Sequence, residues 1–211
     1  MTAEPAETSP PRPPRRQRSD GERSRAAILR EAAKLATVEG LNGLSLGRLA
    51  SEVGMSKSGL FAHFGSKEEL QLATIDAASA IFEELVIQPA ADRPSGVPRL
   101  RAYIDGFLTH VEEGVFPGGC FFVSTMNEFD AHPGPVRDNS LAFSQRWLML
   151  LAEQVAAAQS AGELDPAADP FQIAFELNAF MVLGNIQFVA TEEPMALEFV
   201  RRAVEIGRAH V

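Results

Sequence analysis

The stretch Ser56-Lys57-Ser58-Gly59-Leu60-Phe61-Ala62-His63-Phe64 holds residue types suited to touching the edges of base pairs. Lys57 and His63 offer hydrogen-bond donors, and Ser58 and Gly59 permit close approach. Leu60 and Phe64 lie four apart and share one face of a helix. With that face turned inward, Lys57, Ser58, Phe61 and Ala62 remain for the major groove of DNA, where donors meet purine acceptors and apolar groups meet the thymine methyl. Ser45 can cap a helix whose free N–H groups and positive dipole end suit a phosphate, and Lys67 adds a charge at the start of the next helix. Both would position rather than specify. The candidate DNA-binding set is Ser45, Lys57, Ser58, Gly59, Phe61, Ala62, His63 and Lys67, with His63 equally readable as a packed or solvent-facing imidazole.

Holding that set in place takes short helices in quick succession. From Asp20, Ile28, Leu29, Ala32, Leu35 and Ala36 recur at helical spacing, and Gly40 stands where a C-terminal glycine cap belongs. After a Leu41-Asn42-Gly43 turn, Ser45 caps a second helix with Leu46, Leu49, Ala50 and Val53 on one face, ended by Gly54. A third helix starts at Ser56 or Lys57 and runs through Phe64, so the connection is too short for anything but a steep crossing. Ser66 and Glu69 then form a capping box, and the fourth helix runs to about Val86. Beyond it, proline and glycine divide the chain into helices at about 98–113, 120–130, 136–161, 170–190 and 194–209, with no strand signal and no short internal repeat. The fold class read from this pattern is all-α.

Charge is laid out unevenly. The net charge is -9 over 211 residues, yet residues 1–67 hold 11 Lys/Arg against 7 Asp/Glu, while residues 68–211 hold 8 against 21. A basic front on an acidic body suits a small anion-binding module joined to something else, although a solvated surface with no partner gives the same layout. Residues 1–19 are rich in proline and arginine and cannot build a core, so a disordered tail is expected, either an arm that tracks phosphates or a loose terminus. No apolar leader opens the chain, and no stretch approaches 18 uninterrupted apolar residues, which suits a cytoplasmic protein with no membrane partner. The lone Cys120 excludes an internal disulfide and a multi-cysteine metal site. At a helix start it is either a thiol of lowered pKa that senses oxidants or a buried, inert one. His110, Glu128, Asp130 and His132 lack any recurrent metal spacing, and no nucleophile motif accompanies them, so neither a metal, a cofactor nor an enzyme is expected.

The spacing Leu46-x-x-Leu49-Ala50-x-x-Val53-Gly54-x-Ser56-Lys57-x-x-Leu60-Phe61-x-x-Phe64-x-Ser66-Lys67-x-x-Leu70 resembles the signature of TetR-family regulators. The resemblance is dense over about 23–72 and holds only in outline beyond. It implies a helix-turn-helix DNA-binding domain over 20–66 and a ligand-binding and dimerisation domain over 67–211. Function would be that of a repressor, binding a near-palindromic double-stranded operator as a homodimer and leaving it when a small effector binds. The family usually has tyrosine where this chain has Phe61, which removes one hydroxyl contact to a phosphate and leaves an aromatic ring for a thymine methyl or a sugar.

For the effector, Phe107, His110, Phe121, Phe122, Met126, Phe129 and Trp147 concentrate aromatic and soft side chains in the middle helices, as either an apolar pocket or an aromatic core. For the dimer, Phe175, Asn178, Met181, Val182, Asn185 and Phe188, followed by Val200 and Val204, form a wide stripe on the last two helices, with Gly184 allowing close approach. Such stripes serve equally as intramolecular core. The alternative function is a helical protein that binds a small molecule or a protein partner, with a vestigial DNA head.

Overall fold

In the computed structural model, which describes residues 15–129 and 133–209, every regular element is helical. The head comprises α1 (Arg15–Glu39), α2 (Leu46–Glu52) and α3 (Lys57–Phe64). Helix α1 begins N-terminal to Asp20, where the apolar periodicity starts; the rest of the expected tail lies outside the described residues. Gly40, at φ 83°, ends α1 in the left-handed region that glycine tolerates.

Helices α2 and α3 start as their serines dictate: Ser45 Oγ accepts from Arg48 N and Ser56 Oγ from Gly59 N. Leu49, Ala50, Leu60 and Phe64 are buried together, so the short helices are held by core packing rather than by their own propensity. The Arg25 guanidinium lies 5.1 Å from the centre of the Phe64 ring and clasps α1 to α3.

Helix α4 (Lys67–Phe82) opens with Ser66 Oγ accepting from Glu69 N. Only this half of the expected capping box forms, because the Ser66 N–H donates to Phe64 O at 2.7 Å instead of to Glu69. The helix also runs on past Val86, through a π-helical turn (Glu83–Ile87) into α5 (Gln88–Ala91). Pro89 supplies the reason: it has no N–H to give and its ring crowds the carbonyl four residues back, and the wider turn absorbs both faults without ending the helix.

The body continues with α6 (Val97–Glu112), α7 (Phe121–Phe129), α8 (Pro135–Ser160), α9 (Pro170–Thr191) and α10 (Met195–Ala209). Gly106 of α6 crosses closely over Val86 in the π-helical turn. Helices α8, α9 and α10 pack in sequence, while α1 packs on α4 and α7 and so seats the head on the body.

By length and a mean hydropathy of 1.5, α9 is apolar enough to cross a membrane. Its run is interrupted by Gln172, Glu176, Asn178, Asn185 and Gln187, and it packs against α8 and α10 on one side while the other stays open.

Candidate DNA-binding face and effector cavity

Lys57, Ser58, Phe61 and Ala62 project from α3 into solvent, with Leu60 and Phe64 behind them in the core. Phe61 is 54% exposed, an unusual state for so large an apolar ring. Gly59 and His63 are half-buried, and the His63 ring rests against Phe64 with centres 6.1 Å apart. Ser45 stands exposed at the start of α2. Arg48, also on α2, is paired with Glu52 and Glu39, which hold its guanidinium above the usual arginine range and occupy it.

Lys67 sits at the start of α4 as expected, but its ammonium donates to the Asn42 carbonyl at 2.6 Å, tying α4 to the α1–α2 turn. Gln71 does the same for the Leu41 carbonyl, at 2.9 Å. On the other side of the turn, the Glu128 carboxylate accepts the N–H groups of both Leu41 and Asn42, at 2.9 and 2.8 Å. No local pattern marks this contact, since the partners are backbone groups far away in the chain.

The body contains a cavity of about 220 Å³. Of the expected effector-binding residues, Phe107, Phe122, Met126 and Trp147 line it, joined by Phe82, Phe143, Asn178 and Ile186. Phe122 and Phe143 stack face to face, with centres 3.4 Å apart and planes 8° apart. Phe82 is the hub of the remaining rings, meeting Phe107, Phe143 and Trp147 edge-on.

His110 and Phe121 are buried outside the lining, and Phe129 is half-buried beyond it. The His110 ring is wedged edge-on between Phe82 and Phe116. Both its nitrogens lack a hydrogen-bond partner, and burial drives its pKa down to about 4.

The polar groups of the lining are neutral. Trp147 Nε1 donates to Asn178 Oδ1 at 3.1 Å, leaving the Asn178 amide N–H groups available. Cys120 also faces the cavity, and burial pushes its thiol pKa up to about 11 despite two backbone N–H groups that favour the thiolate. Among the described residues no group of three or more His, Cys, Asp or Glu could hold a metal ion; Asp130 and His132 lie outside the described residues.

The stripe residues of α9 and α10 divide into two sets. Met181, Asn185 and Val200 are buried within the chain, and Asn178, Val182, Phe188 and Val204 are half-buried. Of the expected dimer residues only Phe175, at 60%, lies on the open side. That side also carries Leu183, Met195 and Phe199, which line a groove of about 370 Å³ between the two helices. Gly184 brings the helices together, since a Cβ there would collide with Val200.

A capped helix-turn-helix head on an acidic helical body with an aromatic cavity defines a DNA-binding transcriptional regulator rather than an enzyme. Comparison with known proteins makes this specific. The profile of bacterial regulatory proteins of the tetR family matches residues 28–74, and that of the tetracyclin repressor-like C-terminal domain matches residues 96–204. The chain belongs to the TetR family of transcriptional regulators.

Among its relatives, the HTH-type transcriptional regulator TcmR of Streptomyces glaucescens is 27% identical over 88% of this chain and 80% of its own length. A TetR transcriptional regulator from Chloroflexus aurantiacus superposes with a TM-score of 0.79 at 26% identity, covering 86% of this chain and 92% of that one. AibR, solved in complex with isovaleryl coenzyme A and operator DNA, superposes with a TM-score of 0.69 at 26% identity, over 85% of this chain and 95% of its own.

Proposed function

We propose that this regulator is a homodimeric repressor that binds a near-palindromic operator through Lys57, Ser58, Phe61 and Ala62 and is released when an uncharged aromatic or apolar effector enters the body cavity. The observation that carries the reading is the bare α3 face: a lysine, a hydroxyl, an aromatic ring and a methyl presented together to solvent, with the rest of the helix committed to the core.

The dimer reading rests on the open side of α9 and α10. Phe175, Leu183 and Phe199 are each more than half exposed, and a second copy of the same face would cover them across a two-fold axis. Two heads then read half-sites about 34 Å apart, one turn of DNA.

The effector class follows from the cavity lining, which holds five aromatic rings, three small polar groups and no charge. AibR provides a precedent for a ligand and an operator on this fold. A coenzyme A thioester carries several phosphate charges, however, and this cavity has no cation for them. Nothing favours a vestigial head, because its caps, core and exposed α3 face are all in place.

Selection of duplexes from a random pool, followed by fluorescence anisotropy at several salt concentrations, tests the reading. Enrichment of a palindrome bound in a salt-dependent way supports it, and failure to enrich any sequence overturns it.

A further inference from the structure

We propose that Glu128 is the positioning residue that fixes the DNA-reading head on the body, and that a cavity occupant acts on the head through it; this rests on the effector reading above. Helix α7 has nine residues and is about 13 Å long. Its N-terminal end is pinned to α9, where Cys120 N donates to Asn185 Oδ1 at 2.7 Å. Its C-terminal end is pinned to the head by the two bonds from Leu41 and Asn42 to Glu128.

Between these ends Phe122 and Met126 line the cavity, while Phe121 and Thr125 are buried on another face. So short a helix moves as one body, and a side chain displaced at Met126 is carried to Glu128 half a turn away. The receiving turn is stiff. Lys67 and Gln71 hold its carbonyls from α4, and Gly40, at φ 83°, packs directly beneath the carboxylate. Glu128 therefore ties α7 to the turn between α1 and α2 at the point where α4 also holds that turn. A shift of its carboxylate reorients the head as a unit rather than loosening it.

The test uses the full chain and the operator selected on it. Glu128→Ala is expected to weaken binding to that operator about tenfold, because specific binding needs both heads held at one spacing. Affinity for an unselected duplex, which needs only phosphate contacts, should stay within about twofold. Glu128→Gln, which keeps one acceptor, should fall between. Hydrogen exchange over residues 40–45 should quicken in Glu128→Ala while the melting temperature holds. Equal losses on both duplexes, or no loss on the operator, overturn the positioning role.

Met126→Trp serves as a built-in occupant of the cavity. It should weaken operator binding in the wild-type background and add little in Glu128→Ala, whereas additive effects, or none in either background, overturn the coupling. Should the wild-type chain select no duplex at all, the DNA-binding reading itself fails, an outcome distinct from these.

Discussion

In the proposed complex, Phe61 and Lys57 divide the reading of DNA between them. Lys57 can donate to guanine O6 and N7, and Phe61 has one apolar group to meet in the major groove, the thymine methyl. Lys57→Ala should cost about 1–3 kcal/mol of operator binding. Replacing thymine by uracil in the half-site should weaken the wild type, but not Phe61→Ala, at the position the ring touches. Anisotropy titrations on the two operators compare them.

Two buried groups make predictions of their own. With its folded pKa of about 4 below the ordinary 6.5, His110 binds a proton more readily once unfolded. Stability is then complete above about pH 6.5 and falls as pH drops toward 4, by on the order of 3 kcal/mol. His110→Leu should flatten that slope in denaturant melts at pH 4.5 and 7, and removing an unpartnered imidazole should leave stability at pH 7 equal or higher. Cys120, with its pKa near 11, should resist alkylation at pH 8 until the chain unfolds; labelling of native protein within minutes would contradict its burial.

At the scale of elements, the head was the most legible part. Its helices are bounded by local signals, Ser45, Ser56, Ser66 and Gly40, whose effect does not depend on distant contacts. The body was legible in outline only. Pro89 reads as a helix stop, but a π-helical turn packed against Gly106 lets the helix continue. Lys67 reads as a free cation, although a carbonyl brought alongside by the fold occupies it. Helix α9 is apolar nearly all round, so its pattern does not say which side faces out; contact with α8 and α10 buries the Met181 and Asn185 side and leaves Phe175 and Leu183 open. His110 has the right chemistry for an effector contact but points into a ring cluster beside the cavity. At Gly184, substitution by Ala should push α10 off α9 and lower thermal stability, since the added methyl meets Val200 directly.

At the scale of the molecule, face, cavity and head form one proposed device. The exposed apolar face of α9 and α10 is the proposed seam between two copies, an aromatic cavity lies along α7, and α7 ends on the turn between α1 and α2. Leu183→Glu places a charge in the middle of the open face and should convert the dimer to a monomer in light scattering. The monomer should keep its helical content and lose at least tenfold in operator affinity, since one head contributes half the contacts.

The most direct measurement is anisotropy of the selected operator titrated with wild-type chain and with Lys57→Ala, each with and without a neutral aromatic compound that raises the wild-type melting temperature. The proposed function requires a salt-dependent complex of two chains per operator, weakened by Lys57→Ala and dissociated by the compound. A complex unaffected by both would contradict it.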